Sequence, residues 1–116
     1  MPSSIEQVRP GELARWFARQ GADTAPVVLD VRESAELRSA SVRPDGFTLL
    51  CIPMGSVPQR LAELDPDMPI ACLCHHGARS MRVAQFLQQQ GFARVANIAG
   101  GIHAWALEHD PAVAQY

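Results

Sequence analysis

The stretch of sequence that decides the fold is residues 70–91, IACLCHHGARSMRVAQFLQQQG. Residues 70–74 are apolar without interruption, which predicts a short strand buried on both faces. Residues 80–90 carry apolar side chains at helical spacing, and Gly91 is the expected C-terminal stop of that helix. A buried strand that leads through a short loop into a helix is typical of parallel α/β sheets.

The same alternation of strands and helices continues on both sides of this unit. Short, mostly apolar runs predict further strands at residues 26–31, 47–52 and 95–98. Helices are predicted around them, at residues 13–17, 34–38, 58–64 and 102–107. We therefore expect an α/β fold with a doubly wound, mostly parallel central sheet and helices on both faces.

Length and composition narrow the possible functions. The chain has 116 residues, 47% hydrophobic and 19% charged, which fits one globular domain over residues 1–116. Its formal net charge of −2 argues against a nucleic-acid-binding protein. No apolar run approaches the roughly 18 residues that span a bilayer, and no secretory leader is visible. Three cysteines form no disulfide framework, so we expect a cytoplasmic protein with reduced thiols; the oligomeric state is left open.

The loop after the strand at 70–74 carries the residues with the most chemistry. A loop that curls over a helix N-terminus directs backbone N–H groups inward, and they form an anion site with the helix dipole. Such a site would stabilise the thiolate of Cys74, which is the nucleophilic form of cysteine. We predict Cys74 as a nucleophile. We also predict that the following loop residues surround a bound anion: His75, His76, Gly77, Ala78, Arg79 and Ser80.

The pattern Cys-X-X-Gly-X-Arg-Ser, which starts at Cys74, resembles the active-site loop of the rhodanese family of sulfurtransferases. Many family members carry a Gly-His-Ile-X-Gly-Ala segment that residues 38–46 lack. The resemblance nevertheless extends from about Val8 to Trp105 and implies a single-domain rhodanese-like fold. Its other segments are Asp-Val-Arg-Glu at 30–33, Ile-Pro at 52–53, Gly-Phe at 91–92 with Val95, and Gly-Gly-Ile at 100–102.

The resemblance implies a two-step sulfur transfer. The Cys74 thiolate would take the outer sulfur of a donor such as thiosulfate, and the persulfide would pass it to cyanide or a thiol. A protein thiol fits as the acceptor equally well. Because the cysteine itself carries the sulfur, the resemblance implies no cofactor and no metal. The loop amides would hold the persulfide, and Arg79 would hold the loop shape or meet the anionic donor.

Several residues around the loop have predicted supporting roles. Asp30 and Arg32 follow a buried strand and would form an ion pair or cap at the edge of the site. Ser80 would cap the helix or donate its hydroxyl to the bound sulfur. His75 and His76 would be solvated side chains, or imidazoles that attract an anionic donor. The sequence leaves these alternatives open.

The remaining cysteines, histidines and tryptophans are predicted to lie either at the surface or in the core. His103 and His109 are predicted as surface residues, because the sequence shows no partner for them. For Cys51 a core position is favoured; the alternative is that the strand ends converge, which would bring it near the loop as a resolving thiol. The residues expected in the core are Trp16, Cys51, Cys72 and Trp105.

Three other functions share some of these features. A cysteine phosphatase also places Cys and Arg around a helix N-terminus, but its loop is one residue longer than the four residues between Cys74 and Arg79. A metal site would combine Cys72 and Cys74 with the two loop histidines, although a structural zinc site brings a second ligand pair from elsewhere. A non-catalytic module or a carrier that delivers persulfide sulfur to a partner protein would keep the same fold. The loop cysteine favours the sulfurtransferase.

Overall fold

A computed structural model of the chain describes residues 5–21 and 25–115. These residues form the strands β1 (Glu6–Val8), β2 (Val27–Asp30), β3 (Thr48–Cys51), β4 (Ile70–Leu73) and β5 (Val95–Ile98). Their α-helices are α1 (Leu13–Arg19), α2 (Ser34–Ser39), α3 (Ala78–Gln89) and α4 (Gly101–Glu108). Within these two ranges no helix combines the length and the apolar character needed to cross a membrane.

The strands form one sheet in the order β1-β5-β4-β2-β3, and every neighbouring pair is parallel. The predicted α/β fold class with a parallel sheet is therefore confirmed. Asp30 at the end of β2 lies in register with Leu73 of β4 and Cys51 of β3. Because parallel strands end at the same edge, the residues that follow β2, β4 and β5 meet there.

Helices cover both faces of the sheet, as predicted. On one face α1 and α4 bury Trp16 and Trp105, which confirms the expectation that both tryptophans lie in the core. On the other face α3 packs Val83 and Leu87 against the sheet. Cys72 belongs to the core on the α3 side, as expected, and Cys74 lies in the same cluster. The two cores are held together by alternate side chains of the fully buried strands β2 and β4.

The short strand β1 has no counterpart among the predicted strands. It contains only three residues, and two of them, Glu6 and Gln7, are exposed polar residues. Such a segment has no hydrophobic pattern to predict it. Its strand geometry comes from pairing with β5, which places Gln7 opposite Asn97.

The predicted helix at residues 58–64 is wrong. Residues 57–60 form turns, and a 3-10 helix follows at Leu61–Glu63. The backbone N–H groups of Glu63 and Leu64 donate to the oxygens of Arg60 and Leu61 at 3.0 Å, and this three-residue spacing is that of a 3-10 helix. The helix predicted at 80–90 is present, but α3 begins earlier, at Ala78.

Cys51 is exposed, so its predicted core position is wrong. It ends β3, which is the outermost strand next to β2 and has only partly buried side chains. A continuous apolar run predicts burial on both faces, but an edge strand is covered less completely. The segment 38–46, which begins at the end of α2 and lacks the family histidine, buries Ala40 and Val42 in the core on the α1 and α4 side.

Candidate active site

Cys74 follows β4 directly and is 1% exposed. Its Sγ accepts a hydrogen bond from the backbone N–H of Gly77, at 3.1 Å. Gly77 has a φ of 109°, a value that side chains with a Cβ rarely adopt, and it is the N-cap of α3. The glycine thus lets the loop turn its amide onto the sulfur. The positive end of the 12-residue helix α3 starts at the next residue.

Ser80 lies in the first turn of α3 and is fully buried. Its Oγ is 3.2 Å from the Sγ of Cys74 and 2.5 Å from the Oδ1 of Asn97. Because a hydroxyl has one proton, Ser80 donates to only one of these atoms at a time. It can accept from a Cys74 thiol while it donates to Asn97, or donate to a thiolate. The hydroxyl therefore fits both protonation states of the sulfur.

The side chain of Asn97 is held in one orientation beneath the loop. Its Nδ2 donates to the Oε1 of Gln7 at 3.0 Å and to the backbone oxygen of Gly77 at 3.2 Å. These two acceptors leave Oδ1 facing Ser80. Asn97 is 3% exposed, so its buried amide connects the loop and β5 to the exposed Gln7 of β1.

The N-terminus of α4 packs against the backbone of the loop. The N–H of Ile102 donates to the oxygen of Cys74 at 2.8 Å, and the N–H of His103 donates to the oxygen of His75 at 3.1 Å. Gly101 lies so close that a Cβ there would overlap both of these carbonyl oxygens. Close backbone contact thus explains Gly101, whereas Gly100 has a φ of 78° and a Cβ there would overlap the side chain of Ala104. Helix α4 contacts the loop from the side opposite α3.

Arg79 does not extend freely into solvent. Its guanidinium forms two hydrogen bonds with the carboxylate of Glu36 on α2, at 2.6 and 2.7 Å. Such a bidentate pair fixes the orientation of the guanidinium. The pair joins the first turn of α3, where the loop ends, to α2, and the role of Arg79 stays a prediction.

Asp30 and Arg32 form an ion pair in which both side chains are fully buried. The Nε and Nη2 atoms of Arg32 donate to the Asp30 carboxylate at 2.9 and 2.7 Å. Nη1 of Arg32 also donates to the backbone oxygen of Glu36, at 3.2 Å. Through these contacts Arg32 joins Asp30, at the end of β2, to α2. The side chain of Glu36 in turn joins α2 to Arg79 of α3.

The histidines of the loop meet a third histidine. The rings of His75 and His76 stack with their centroids 3.9 Å apart, and the ring of His103 lies 5.1 Å from that of His76. His103, predicted as a surface residue, is half-buried, and the docking of α4 brings its ring to the loop, a contact that the sequence does not show. His109 is exposed, as predicted, with its ring against Trp105.

The other two thiols are poor nucleophiles. Burial raises the pKa of Cys72 strongly, and the neighbouring Cys74 raises it further. Partial burial of the sulfur and the carboxylate of Asp30 raise the pKa of Cys51. A thiol with a raised pKa holds less of the reactive thiolate at neutral pH.

The comparisons with known proteins agree with this arrangement. A family model described as Rhodanese-like domain matches residues 10–108. The chain belongs to the rhodanese-like family. This rhodanese-like chain is 42% identical over 94 residues to a sulfurtransferase of Allochromatium vinosum, across 80% of this chain and 84% of that protein. It is 32% identical over 112 residues to the thiosulfate sulfurtransferase GlpE of Glaesserella parasuis, across 96% of this chain and 95% of that protein.

A solved structure leads to the same family. The crystal structure of a rhodanese-related protein from Thermoplasma volcanium superposes with a TM-score of 0.75 at 28% identity, across 97% of this chain and 100% of that chain. The resemblance found in the sequence is therefore confirmed over nearly the whole chain. The two relatives described above carry the name sulfurtransferase.

Three residues at the site of this rhodanese-like chain were missed by sequence reasoning. Gln7 and Asn97 hold Ser80 and the loop, and Glu36 holds Arg79. Asn97 carried a usable signal, because it is a polar residue in the otherwise apolar strand 95–98. A polar side chain buried in a strand needs hydrogen-bond partners, so it indicates that a polar network lies nearby. Nothing in the sequence distinguishes Gln7 or Glu36 from other surface residues.

Proposed function

We propose that the protein moves a sulfane sulfur from an anionic donor such as thiosulfate to a thiophilic acceptor. The Cys74 thiolate attacks the outer sulfur of thiosulfate, the sulfur–sulfur bond breaks, and sulfite leaves with the bonding electron pair. Cyanide or a thiolate then attacks the terminal sulfur of the Cys74 persulfide. The products are thiocyanate or an acceptor persulfide, and the Cys74 thiolate is restored.

The observation that supports this proposal is the hydrogen bond from the Gly77 N–H to the Cys74 sulfur at the N-terminus of α3. An anionic sulfur is stabilised by such a donor and by the helix dipole. In the proposed reaction the charge lies first on Sγ and then on the terminal sulfur of the persulfide. In this proposal the loop residues His75 to Gly77 and the first turn of α3, from Ala78 to Ser80, would surround this position.

The residues around Cys74 have different roles in the proposed reaction. The hydroxyl of Ser80 donates to the sulfur when it is a thiolate and accepts from it when it is a thiol. The side chains of His75 and His76 lie on either side of the path by which the donor approaches. Arg79 acts as a positioning residue through Glu36. Asp30 and Arg32 support the edge of the site from inside the protein.

The alternatives weighed from the sequence are less well supported. A metal site that uses Cys72 is disfavoured, because this thiol is completely buried in the core. The four residues between Cys74 and Arg79 form a smaller loop than a phosphatase uses. A carrier that delivers sulfur to a protein shares the first step and differs only in the acceptor. In the reducing cytoplasm that we expect for this chain, small and protein thiols are both available acceptors.

The proposal is tested by the intact mass of the protein before and after incubation with thiosulfate. We expect the gain of one sulfur atom, located on Cys74 by peptide mapping, and its loss after cyanide is added. Omission of thiosulfate is the control. A folded protein that gains no sulfur, or that gains it on Cys51, would contradict the proposal.

The pair between Arg79 and Glu36 leads to a second prediction. Arg79→Lys and Glu36→Gln should each lower kcat/KM for thiosulfate by about tenfold, which corresponds to about 1.4 kcal/mol. Lysine cannot form the bidentate pair. In the native protein the Glu36 carboxylate also accepts a hydrogen bond from the backbone N–H of Glu33, and the side-chain oxygen of a glutamine can still accept it.

The double variant distinguishes positioning from direct donor contact. If Arg79 acts through Glu36, the loss in the double variant should be close to that of either single variant. Arg82→Lys is the matched control, because Arg82 is exposed one turn further along α3 and should leave the rate unchanged. Additive losses would show that Arg79 meets the donor independently of Glu36.

A further inference from the structure

We propose that the imidazoles of His75, His76 and His103 form a binding site for a divalent transition-metal ion of the Zn²⁺ class, next to Cys74 but without its sulfur. One ring nitrogen from each of the three residues lies within 4.8 Å of the other two. The ring centroids of His75 and His103 are 6.4 Å apart. The ring of His76 is closer to each of them, at 3.9 and 5.1 Å. Three ligands of one chemical kind therefore converge from two separate segments.

The backbone of both segments is fixed before any metal binds. The N–H groups of Ile102 and His103 donate to the carbonyl oxygens of Cys74 and His75, at 2.8 and 3.1 Å. Gly101 permits this close approach, because a Cβ there would overlap the loop. Only side-chain rotations are then needed to form the site. Zinc–nitrogen bonds of about 2.0–2.1 Å in a tetrahedron place ligand nitrogens about 3.3 Å apart.

The ligand set selects the class of metal. Neutral imidazole suits Zn²⁺, Cu²⁺ and Ni²⁺, whereas Mg²⁺ and Ca²⁺ prefer oxygen ligands. The described cluster of three histidines contains no carboxylate. Three protein ligands also leave the fourth position of a tetrahedral Zn²⁺ open to a solvent or ligand atom.

The sulfur of Cys74 is directed elsewhere. Its Sγ contacts the N–H of Gly77 and the hydroxyl of Ser80, and it belongs to the core on the α3 side. The carbonyl oxygen of Cys74, not its sulfur, faces α4. The three imidazoles therefore form a set that is complete without the thiol. This set also differs from one built on Cys72, which is inaccessible inside the core.

The experiment is a Zn²⁺ titration of metal-stripped protein without a histidine tag, in competition with a chromophoric chelator. We expect one Zn²⁺ per chain. His103→Gln should weaken binding by more than about 100-fold, because even the loss of a group that only orients a ligand costs roughly 10- to 100-fold. His76→Gln, at an exposed position, provides the same test with less risk to folding. His109→Gln is the matched control and should bind as the wild type does.

A second readout identifies the ligand atoms. Cys74→Ser should still bind one Zn²⁺ with unchanged affinity. The Co²⁺-loaded wild type should lack the absorption band of a metal–thiolate bond. Substoichiometric Zn²⁺, unchanged affinity in both His103→Gln and His76→Gln, or a thiolate band would overturn the site. Neither readout measures sulfur transfer. A negative result for the metal site therefore leaves the proposed function unaffected.

Discussion

Replacing Cys74 with serine should lower the rate of sulfur transfer from thiosulfate to cyanide by at least about 1,000-fold. A serine hydroxyl cannot form a persulfide, so the two-step route of the proposed function is closed. The variant should remain folded, because the N–H of Gly77 and the hydroxyl of Ser80 are already in place as partners for a polar atom. The measurement is steady-state thiocyanate formation, together with the thermal midpoint of unfolding.

Cys51→Ser is the matched control for this prediction. It makes the same substitution at an exposed thiol of the same sheet, and we expect its rate to equal that of the wild type. Substantial turnover by Cys74→Ser would remove Cys74 as the nucleophile. A lost rate in Cys51→Ser would instead assign a resolving role to the thiol at the end of β3.

Replacing Asp30 with asparagine should destabilise the protein by about 3–5 kcal/mol. The side chains of Asp30 and Arg32 are both fully buried, so the substitution leaves a guanidinium in the interior without its counter-charge. The loss should be visible as a lower midpoint in urea-induced unfolding with little change in the slope. Activity should fall with it, since Arg32 also donates to the backbone of Glu36.

Two further variants show whether the loss of stability comes from the unpaired buried charge. Asp30→Leu combined with Arg32→Met should recover much of the stability, because buried ion pairs can often be exchanged for apolar side chains of similar volume. Glu63→Gln breaks the exposed ion pair with Arg60 and should leave the unfolding midpoint nearly unchanged. If Asp30→Asn were as mild as Glu63→Gln, the buried pair would not be important for stability.

The part of the site that could be predicted from the sequence is local. The strand at 70–74 and the helix after it follow from short-range patterns, and Gly77 and Gly91 both have the positive φ that such turns favour. The sequence predicts the surroundings of Cys74, because its neighbours in sequence, Gly77 and Ser80, are also its neighbours in space. Its role as the nucleophile stays a prediction until the sulfur has been located.

The parts that could not be predicted depend on the order of the strands. Cys51 is exposed because β3 lies at the edge, and no property of residues 47–52 encodes that position. His103 meets the loop because α4 follows a strand adjacent to β4. Glu36 reaches Arg79 across 43 positions of sequence, which side-chain spacing within one element cannot reveal.

The hydrogen bond between Gln7 and Asn97 has a consequence for how the site forms during folding. It joins residues 90 positions apart, since the first strand pairs with the last one. Closing so long a loop costs chain entropy before the contact is gained, and contacts of this kind slow folding. The support beneath Ser80 is therefore complete only when β1, near the start of the chain, has paired with β5, near its end. An unfinished chain that ends before β5 therefore holds Cys74 and Ser80 without the support of Asn97 and Gln7.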